Sequence, residues 1–253
     1  MKTVAIIQAR MSSSRLPGKM LMDIEGKPLI ERVMERAHAV DLFNDVILAT
    51  SDDASDDPLA AFGEAKGMHV FRGNLNDVLD RLYSAAQSVQ AECIIRLTGD
   101  CPLLDPAVIC KVVQTFQTGE FDYVSNALKR TYPDGLDTEV CSTKALEIAH
   151  KQAALPSERE HVMPFIYKQP EWFRIGHVLH NRDLSQLRWT VDEQRDLEFV
   201  RTVYREIGKD MFGMDDILAL LKRKPQISAI NKGIPMNAGK QKSLEEDARF
   251  SQG

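Results

Sequence analysis

A loop near the start of the chain concentrates positive charge and small hydroxyl groups. The segment RMSSSRLPGK supplies Arg10, Arg15 and Lys19, and no acidic residue lies within it or in the two residues that follow. Its three serines and one glycine add hydroxyl and backbone N–H donors, which can line an anion-binding concavity. The pattern favours a polyphosphate ligand. Three cations that merely solvate a surface loop are the ordinary alternative.

Two carboxylates follow apolar, strand-like runs elsewhere in the chain. Asp100 stands in RLTGDCP after a run of apolar residues, and Asp192 stands in WTVDEQRDLEFV between a strand end and a long helical pattern. Polyphosphate chemistry uses Mg²⁺, which prefers one or two carboxylates together with phosphate oxygens. Taken singly, Asp100 fits a turn residue and Asp192 fits a helix cap. Taken with the cationic loop, they indicate one metal–polyphosphate site.

The elements that must position these residues alternate between β-branched runs and amphipathic helical patterns. Strands are predicted at 3–9, 45–49, 68–71 and 92–97, and helices at 29–40, 58–66, 77–89 and 106–116. This order predicts an α/β fold with a mainly parallel sheet and helices on both faces. The carboxyl ends of parallel strands share one edge, where such sheets bind ligands.

The pattern changes in the second half of the chain. Further strands are predicted at 121–124, 138–141 and 172–179, helices at 144–154 and 158–167, and a long helix after Asp192. From Pro225 the sequence is polar and rich in Gly, Lys and Asn, which predicts a weakly ordered tail or a partner-facing arm. We therefore predict a nucleotidyltransferase domain over 1–208 and a helical or extended arm over 209–253.

Whole-chain composition narrows the class of protein. The chain has 253 residues, 43% of them hydrophobic, and a net charge of −5, which argues against general nucleic-acid binding. None of the four cysteines has Cys-x-x-Cys spacing, which predicts reduced thiols. No apolar stretch approaches the roughly 20 residues needed to span a bilayer, and no signal peptide is visible. The expected location is the cytoplasm, with no membrane partner.

The motifs resemble those of a known enzyme family. ARMSSSRLPGKML is similar to the N-terminal signature of the cytidylyltransferases that activate sugar acids, including the 3-deoxy-manno-octulosonate and acylneuraminate enzymes. The branch named for spore coat polysaccharide biosynthesis protein F looks closest. The resemblance covers about the first 210 residues, through DIEGKPLIERV, VILATSDD, FRGNLNDVLDR, RLTGDCPLLDP, DGLDTEV, EREHVMPF and WTVDEQRDLEFV. It implies a Rossmann-like nucleotide-diphospho-sugar transferase fold and a homodimer.

The resemblance also implies roles for the residues above. Arg10, Arg15 and Lys19 would contact the triphosphate of CTP, and Asp100 and Asp192 would ligate Mg²⁺. A sugar-acid hydroxyl would attack the α-phosphate and pyrophosphate would leave, with Arg10, Lys19 and the two aspartates as the catalytic set. The expected nucleotide contacts are Gln8, Ala9, Arg10, Ser14, Arg15, Lys19, Arg72 and Asn76.

The segment FRGNLNDVLDR follows the third predicted strand and is a candidate for the base subsite. Arg72 and Asn76 would contact the cytosine or the ribose. A solvated loop with Asp77 as a helix cap is the alternative. Arg81 lies one helical turn beyond Asp77 and is expected to pair with it.

The middle of the chain would hold the acceptor. By resemblance, Glu139, Arg159 and His161 are the expected contacts, with Arg159 as a clamp for a carboxylate. The segment SERE also fits a capped helix start. Thr98 and Cys101 depart from the octulosonate pattern, which has Gln and Glu there, and this leaves the acceptor open.

Three functions follow from these residues. The favoured one is CMP transfer from CTP to a sugar acid for surface glycans. The alternatives are CDP-forming transfer to a sugar or alditol phosphate, and a non-catalytic glycan-assembly subunit on the same fold. The intact set of Arg10, Lys19, Asp100 and Asp192 argues against the non-catalytic alternative.

Overall fold

The computed structural model describes residues 1–236, Ser243 and 246–250. Its strands are β1 (Thr3–Gln8), β2 (Asp23–Ile24), β3 (Lys27–Pro28), β4 (Asp45–Ser51), β5 (His69–Gly73), β6 (Cys93–Thr98), β7 (Tyr123–Ser125), β8 (Glu139–Ser142) and β9 (Ile175–His177). Its helices are α1 (Leu29–His38), α2 (Asp57–Ala65), α3 (Val78–Ser88), α4 (Pro106–Gln117), α5 (Thr143–Gln152), α6 (Pro156–His161), α7 (Pro164–Tyr167), α8 (Gln194–Ile207) and α9 (Met214–Arg223). Among the described residues, no helix is long and apolar enough to cross a membrane.

Seven strands form one sheet in the order β5-β4-β1-β6-β8-β7-β9, and β2 pairs with β3 in a separate hairpin. Strand β1 pairs in parallel with β4 and β6, and β4 pairs in parallel with β5. Strand β8 runs antiparallel to both β6 and β7, and β9 is parallel to β7. The predicted mainly parallel sheet is confirmed, and its parallel half brings four carboxyl ends to one edge.

Helices cover both faces of the sheet, as predicted. Alternate residues of β1 divide between the two cores, because successive side chains of a strand point to opposite faces. Ala5 and Ile7 join the core that includes residues of α1, α4, α8 and α9. Val4 and Ile6 join the core that includes residues of α3 and α5. All four side chains are fully buried.

The single helix predicted at 158–167 is wrong, because the chain breaks there into α6 and α7. Val162 adopts a φ of 71°, in the left-handed region, which ends α6. Pro164 then begins α7, where its missing N–H costs no helical hydrogen bond. The short α6 thereby ends close to the sheet edge that carries the predicted site.

The structure also differs from the tail predicted from Pro225. Residues Pro225–Ala229 form a 3-10 turn, and Ile227 and Ile234 are buried. Asn231 is 6% exposed, and its side chain donates to the Arg188 carbonyl at 2.9 Å. The rest of the predicted tail, at 237–242, 244–245 and 251–253, lies outside the described residues. The division of the chain at residue 208 stays a prediction.

Gly135 lies where the loop between β7 and β8 crosses the strand-like segment before α8. Its φ is +111°, and a Cβ there would lie 2.6 Å from the backbone nitrogen of Thr190 and 2.6 Å from the carbonyl carbon of Trp189. The backbone carbonyl of the neighbouring Asp134 accepts from Trp189 N at 2.6 Å. Because only glycine leaves room for this crossing, Gly135 fixes the position of Arg188 relative to the loop.

We expect Gly135→Ala to destabilise the fold by at least about 2 kcal/mol more than Gly119→Ala. Gly119 also has a positive φ, of 80°, but a Cβ there would meet nothing within 4 Å. The control therefore isolates the backbone collision from the strain of the left-handed conformation. Urea unfolding of both variants measures the difference. Equal free energies of unfolding would contradict the prediction, because they would mean that the backbone at Trp189 and Thr190 moves away from the added Cβ at little cost.

Candidate active site

Lys19 lies where three segments of the chain meet. Its Nζ donates to Asp100 Oδ2 at 3.0 Å, to Asp192 Oδ1 at 3.0 Å and to the Val191 carbonyl at 2.7 Å. The residue is only 5% exposed. Burial by itself lowers the pKa of Lys19, but the two carboxylates outweigh it and the pKa is raised. Lys19 is therefore a buried, charged ammonium group held between the two predicted metal ligands.

The loop after β1 is folded so that Lys19 reaches inward. Gly18 takes a φ of 75° immediately before the 3-10 turn Lys19–Leu21, and its N–H donates to the Met11 carbonyl at 3.0 Å. The Met11 N–H in turn donates to Asp56 at 2.6 Å. Asp56 is fully buried and also accepts from Ser51 N at 3.0 Å. These bonds tie the cationic loop to the end of β4.

Asp100 is positioned by the close approach of β6 to β1. A Cβ on Gly99 would lie 2.7 Å from the Ala9 Cβ, and the Gly99 N–H donates to the Gln8 carbonyl at 2.9 Å. The Asp100 carbonyl accepts from Val191 N at 2.8 Å. Glycine is therefore required at position 99 for the two strand ends to lie side by side.

Asp192 is positioned by Asp196, a fully buried residue in the first turn of α8. Asp196 accepts from the backbone N–H groups of Asp192 and Glu193, each at 3.1 Å. Arg188 bridges the two aspartates, at 2.9 Å from Asp192 Oδ2 and 2.9 Å from Asp196 Oδ1. Burial alone raises the pKa of Asp192, but Lys19, Arg15 and Arg188 outweigh it and lower the pKa. Asp192 is therefore ionised at neutral pH.

Acids from distant parts of the sequence neutralise the cationic loop. Arg10 pairs with Glu160 at 3.0 Å, and Arg15 pairs with Asp192 at 2.9 Å. The sequence shows no acid near these arginines along the chain, but the fold brings acids to them. About one third of each arginine side chain is exposed, so both can exchange a carboxylate for another anion.

The donor set fits Mg²⁺ when phosphate oxygens complete it. One oxygen of Asp100 and one of Asp192 each lie 3.0 Å from the Lys19 nitrogen, so the two carboxylates face one cationic position. Two carboxylates are the number that Mg²⁺ commonly takes from protein in polyphosphate sites. No cluster of three or more His, Cys, Asp or Glu side chains suited to a metal occurs among the described residues.

A cavity of about 640 Å³ opens beside Lys19. Seven of the eight predicted nucleotide contacts line it: Gln8, Ala9, Arg10, Ser14, Arg15, Lys19 and Asn76. Arg72 does not line it. Its guanidinium group instead donates to the Ser51 carbonyl at 2.9 Å and pairs with Asp57 at 2.6 Å. The predicted base contact from Arg72 is therefore not supported by the structure.

A second cavity of about 360 Å³ adjoins the first, and we call it the acceptor cavity. Five residues line both cavities: Arg15, Thr98, Asp100, His161 and Asp192. Glu139 and His161, two of the predicted acceptor contacts, line the acceptor cavity. Arg159 does not, because it pairs with Asp77 and donates to the His150 carbonyl at 2.9 Å. Arg159 thus ties α6 to the start of α3, and the predicted carboxylate clamp is not formed by this residue.

Sequence reasoning missed the arginine–carboxylate pairs that line the acceptor cavity. Arg96 pairs with Glu139, and Arg130 makes two parallel bonds of 2.6 Å to Asp137. Asp134 lies between Arg130 and Arg188, at 3.5 and 3.6 Å. For Arg130, Asp134 and Asp137 the available signal is the charged loop NALKRTYPDGLD between two strand patterns. Long-range packing decides which of its residues face the cavity.

Asp134 has the most displaced carboxyl pKa of the acceptor cavity. Burial is the main cause, and the charge of the neighbouring Asp137 adds to it. Together they raise the pKa of Asp134 from 3.8 to about 6. Arg130 and Arg188 oppose this shift but do not cancel it. The folded protein therefore binds a proton at Asp134 that the unfolded chain releases between about pH 4 and pH 6.

We expect the stability of the wild type relative to Asp134→Asn to decrease as pH rises from 4 to 6.5, by up to about 3 kcal/mol. The contribution of protonated Asp134 is complete below the unfolded pKa and is lost as pH passes the folded pKa of about 6. Urea unfolding at several pH values measures this difference. Asp41→Asn, at an exposed position, is the control, and its free energy of unfolding should change with pH as that of the wild type does. If the difference in free energy between the wild type and Asp134→Asn does not change with pH, the raised pKa of Asp134 is contradicted.

The chain is similar to known proteins over most of its length. A protein-family model described as cytidylyltransferase matches residues 4–224. The chain is 32% identical over 230 residues to spore coat polysaccharide biosynthesis protein SpsF of Bacillus subtilis, which covers 87% of this chain and 94% of that protein. It is 36% identical over 256 residues to the 3-deoxy-manno-octulosonate cytidylyltransferase of Geotalea uraniireducens, covering 88% of this chain and all of that one.

A solved structure matches nearly the whole fold. The cytidylyltransferase of Leptospira borgpetersenii superposes with a TM-score of 0.87 at 30% identity, over 93% of this chain and 100% of that one. The predicted family, its nucleotidyltransferase fold and its enzyme class are thereby confirmed. The chain belongs to the cytidylyltransferase family, whose members are CTP-dependent nucleotidyltransferases.

Proposed function

We propose that this enzyme transfers CMP from CTP to a sugar acid and releases pyrophosphate. One observation carries the proposal: the Lys19 ammonium group joins Asp100 and Asp192 at the wall shared by the two cavities. An α-phosphate at that wall would face a nucleotide on one side and an acceptor hydroxyl on the other. The larger cavity holds the predicted triphosphate contacts, and the acceptor cavity is lined by groups that bind hydroxyls.

Asp100 and Asp192 would hold Mg²⁺, and the bound ion would supply positive charge that offsets the charge on the reacting phosphate oxygens. Lys19 stays charged in its buried position and stabilises negative charge that develops on the α-phosphate. Arg10 and Arg15 would exchange Glu160 and Asp192 for oxygens of the departing pyrophosphate. Their partial exposure permits this exchange without movement of the sheet.

The acceptor cavity supports a polyhydroxylated substrate that carries a carboxylate. Glu139 and Asp137, held by arginines, present oxygens that accept hydrogen bonds from sugar hydroxyls. Lys168 lines the same cavity, is exposed, and makes no ion pair within the described part of the chain. We assign the carboxylate of the acceptor to Lys168, in place of the predicted Arg159. A role in surface-glycan synthesis is in keeping with the relatives named above, and the cytoplasmic location and homodimer stay predictions.

We expect Asp100→Asn and Asp192→Asn each to lower kcat by about 100-fold or more while the protein stays folded, since each removes a charge that orients the reacting phosphates. A pyrophosphate-release assay with CTP, Mg²⁺ and a panel of sugar acids measures this effect. Asp215→Asn, at an exposed position on α9, is the matched control. Near-normal turnover in both variants would overturn the proposed mechanism.

We expect Lys168→Gln to raise the KM for a sugar acid by about tenfold and to leave the KM for CTP unchanged, because one charge-assisted bond to the carboxylate is lost. The same assay with sugar phosphates and alditol phosphates in place of sugar acids tests the CDP-forming alternative. If only the phosphate acceptors are turned over, a sugar or alditol phosphate replaces the sugar acid as the proposed substrate.

A further inference from the structure

Residues near the C-terminus return to the candidate active site. Ser243 and Glu246 line the larger cavity together with Glu160 and His161 of α6. Ser243 and Asp247 are both buried, at 5% and 9% exposed. The sequence predicts a weakly ordered tail or a partner-facing arm in this part of the chain. Its described residues instead pack against the chain's own site.

Asp247 holds the first turn of α6. Its carboxylate accepts from the Ser157 N–H at 2.8 Å and from the Ser157 hydroxyl at 2.5 Å. Ser157 is 3% exposed, and because it is the second residue of α6 its N–H has no acceptor within the helix. A buried N–H group without an acceptor is costly, so the contact with Asp247 stabilises this end of α6.

Ser243 contacts the other end of α6. Its Oγ lies 2.9 Å from Nε2 of His161, the last residue of the helix. A helix of six residues makes few hydrogen bonds of its own, so its position depends on side chains from elsewhere in the chain. Two of these side chains, one at each end of α6, come from the described residues near the C-terminus.

The position of α6 in turn affects the cationic loop. Glu160 lies on α6 between the two contacts and pairs with Arg10 at 3.0 Å. Arg10, Glu160 and His161 all line the larger cavity. A shift of α6 would therefore move the carboxylate that Arg10 must exchange for phosphate, and it would change the shape of the cavity.

Arg159 ties the same helix to α3. It pairs with Asp77, to which its Nε donates at 2.9 Å. The expected pairing of Arg81 with Asp77 is therefore wrong, and Arg81 donates instead to the Asn74 carbonyl at 2.7 Å. Helix α6 thus connects the residues near the C-terminus with the part of α3 that lines the larger cavity.

We infer that Asp247 is a positioning residue of the nucleotide site, which holds Ser243 and Glu246 at the wall of the larger cavity. The inference rests on the proposed CTP site. A nucleotide in the cavity meets these two residues only while Asp247 is bound to α6, so nucleotide binding and this contact stabilise each other. The Glu246 carboxylate accepts hydrogen bonds and donates none, so its favourable contacts are with hydroxyl and amino groups of the nucleotide rather than with phosphates.

Calorimetric binding of CTP with Mg²⁺ to the full chain tests the inference. We expect Asp247→Ala to weaken CTP binding by about tenfold, because both hydrogen bonds to Ser157 are lost. Ser157→Ala removes one of them and should weaken binding by about threefold. The double variant should bind CTP as Asp247→Ala does, since both substitutions break the same contact. Arg249→Ala, at an exposed position two residues beyond Asp247, is the matched control and should bind CTP as the wild type does.

Hydrogen exchange of the Ser157 amide, followed by NMR, gives a readout that a general loss of stability would not produce. In the wild type, CTP with Mg²⁺ should slow this exchange by about tenfold, the factor by which Asp247→Ala weakens CTP binding, because the linkage is reciprocal. The Ala145 amide is the control. It donates to Ser142 Oγ at 3.1 Å at the start of α5, and its exchange should not change when CTP binds.

The outcomes separate the inference from the proposed function. If a folded Asp247→Ala binds CTP as tightly as the wild type, or if the two single effects multiply in the double variant, the inference is overturned and the proposed function stands. Exchange of the Ser157 amide that CTP leaves unchanged also overturns the inference. That measurement needs only the wild type, so it decides the matter even if Asp247→Ala does not fold. If the wild type binds no CTP, the proposed function and the inference both fail.

Discussion

One buried ammonium group constrains the carboxyl edge of the sheet. Lys19 would be costly to bury alone, so its three acceptors must all reach it. They come from the loop after β6 and from the segment before α8, far apart in sequence. The tight turn at Gly18 directs Lys19 inward, and Gly99 permits the close approach of β6 to β1 that positions Asp100. Removal of either carboxylate would leave this buried charge with less compensation, so the charge balance of the site depends on both aspartates.

A second set of polar side chains holds Asp192 in place. Asp196 fixes the backbone of Asp192, Arg188 joins the two aspartates, and Asn231 donates to both Arg188 and Asp196. The segment that follows α9 therefore supports the loop that carries Asp192 through hydrogen bonds. This explains why Asn231 is buried within a segment whose composition resembles that of a tail.

The sequence predicts the parts of the site that topology determines. Lys19, Asp100 and Asp192 are predicted to lie together because each is expected to follow a strand and because parallel strands end at one edge. The segment before Asp192 forms only an isolated bridge, between Arg188 and Asp134, so its place at the edge depends on tertiary contacts. Arg72 and Arg81 show where this reasoning stops. Both are arginines of one short segment, but the fold turns Arg72 toward Asp57 and buries Arg81 against the larger cavity. Those directions depend on which partners the tertiary structure supplies, as does the pairing of Arg159 with Asp77, and spacing along the chain does not encode them.

The wall shared by the two cavities has a thermodynamic consequence. Asp100, Asp192 and Arg15 border both, so a molecule that rearranges their charges on one side changes the field felt on the other. The occupancies of the two cavities are therefore linked, and the linkage is reciprocal: whatever one ligand does to the affinity of the second, the second does to the first by the same factor. Neutralising Arg15 from the nucleotide side would release Asp192 from one of its partners. The strength of this linkage is thus set by a few shared side chains.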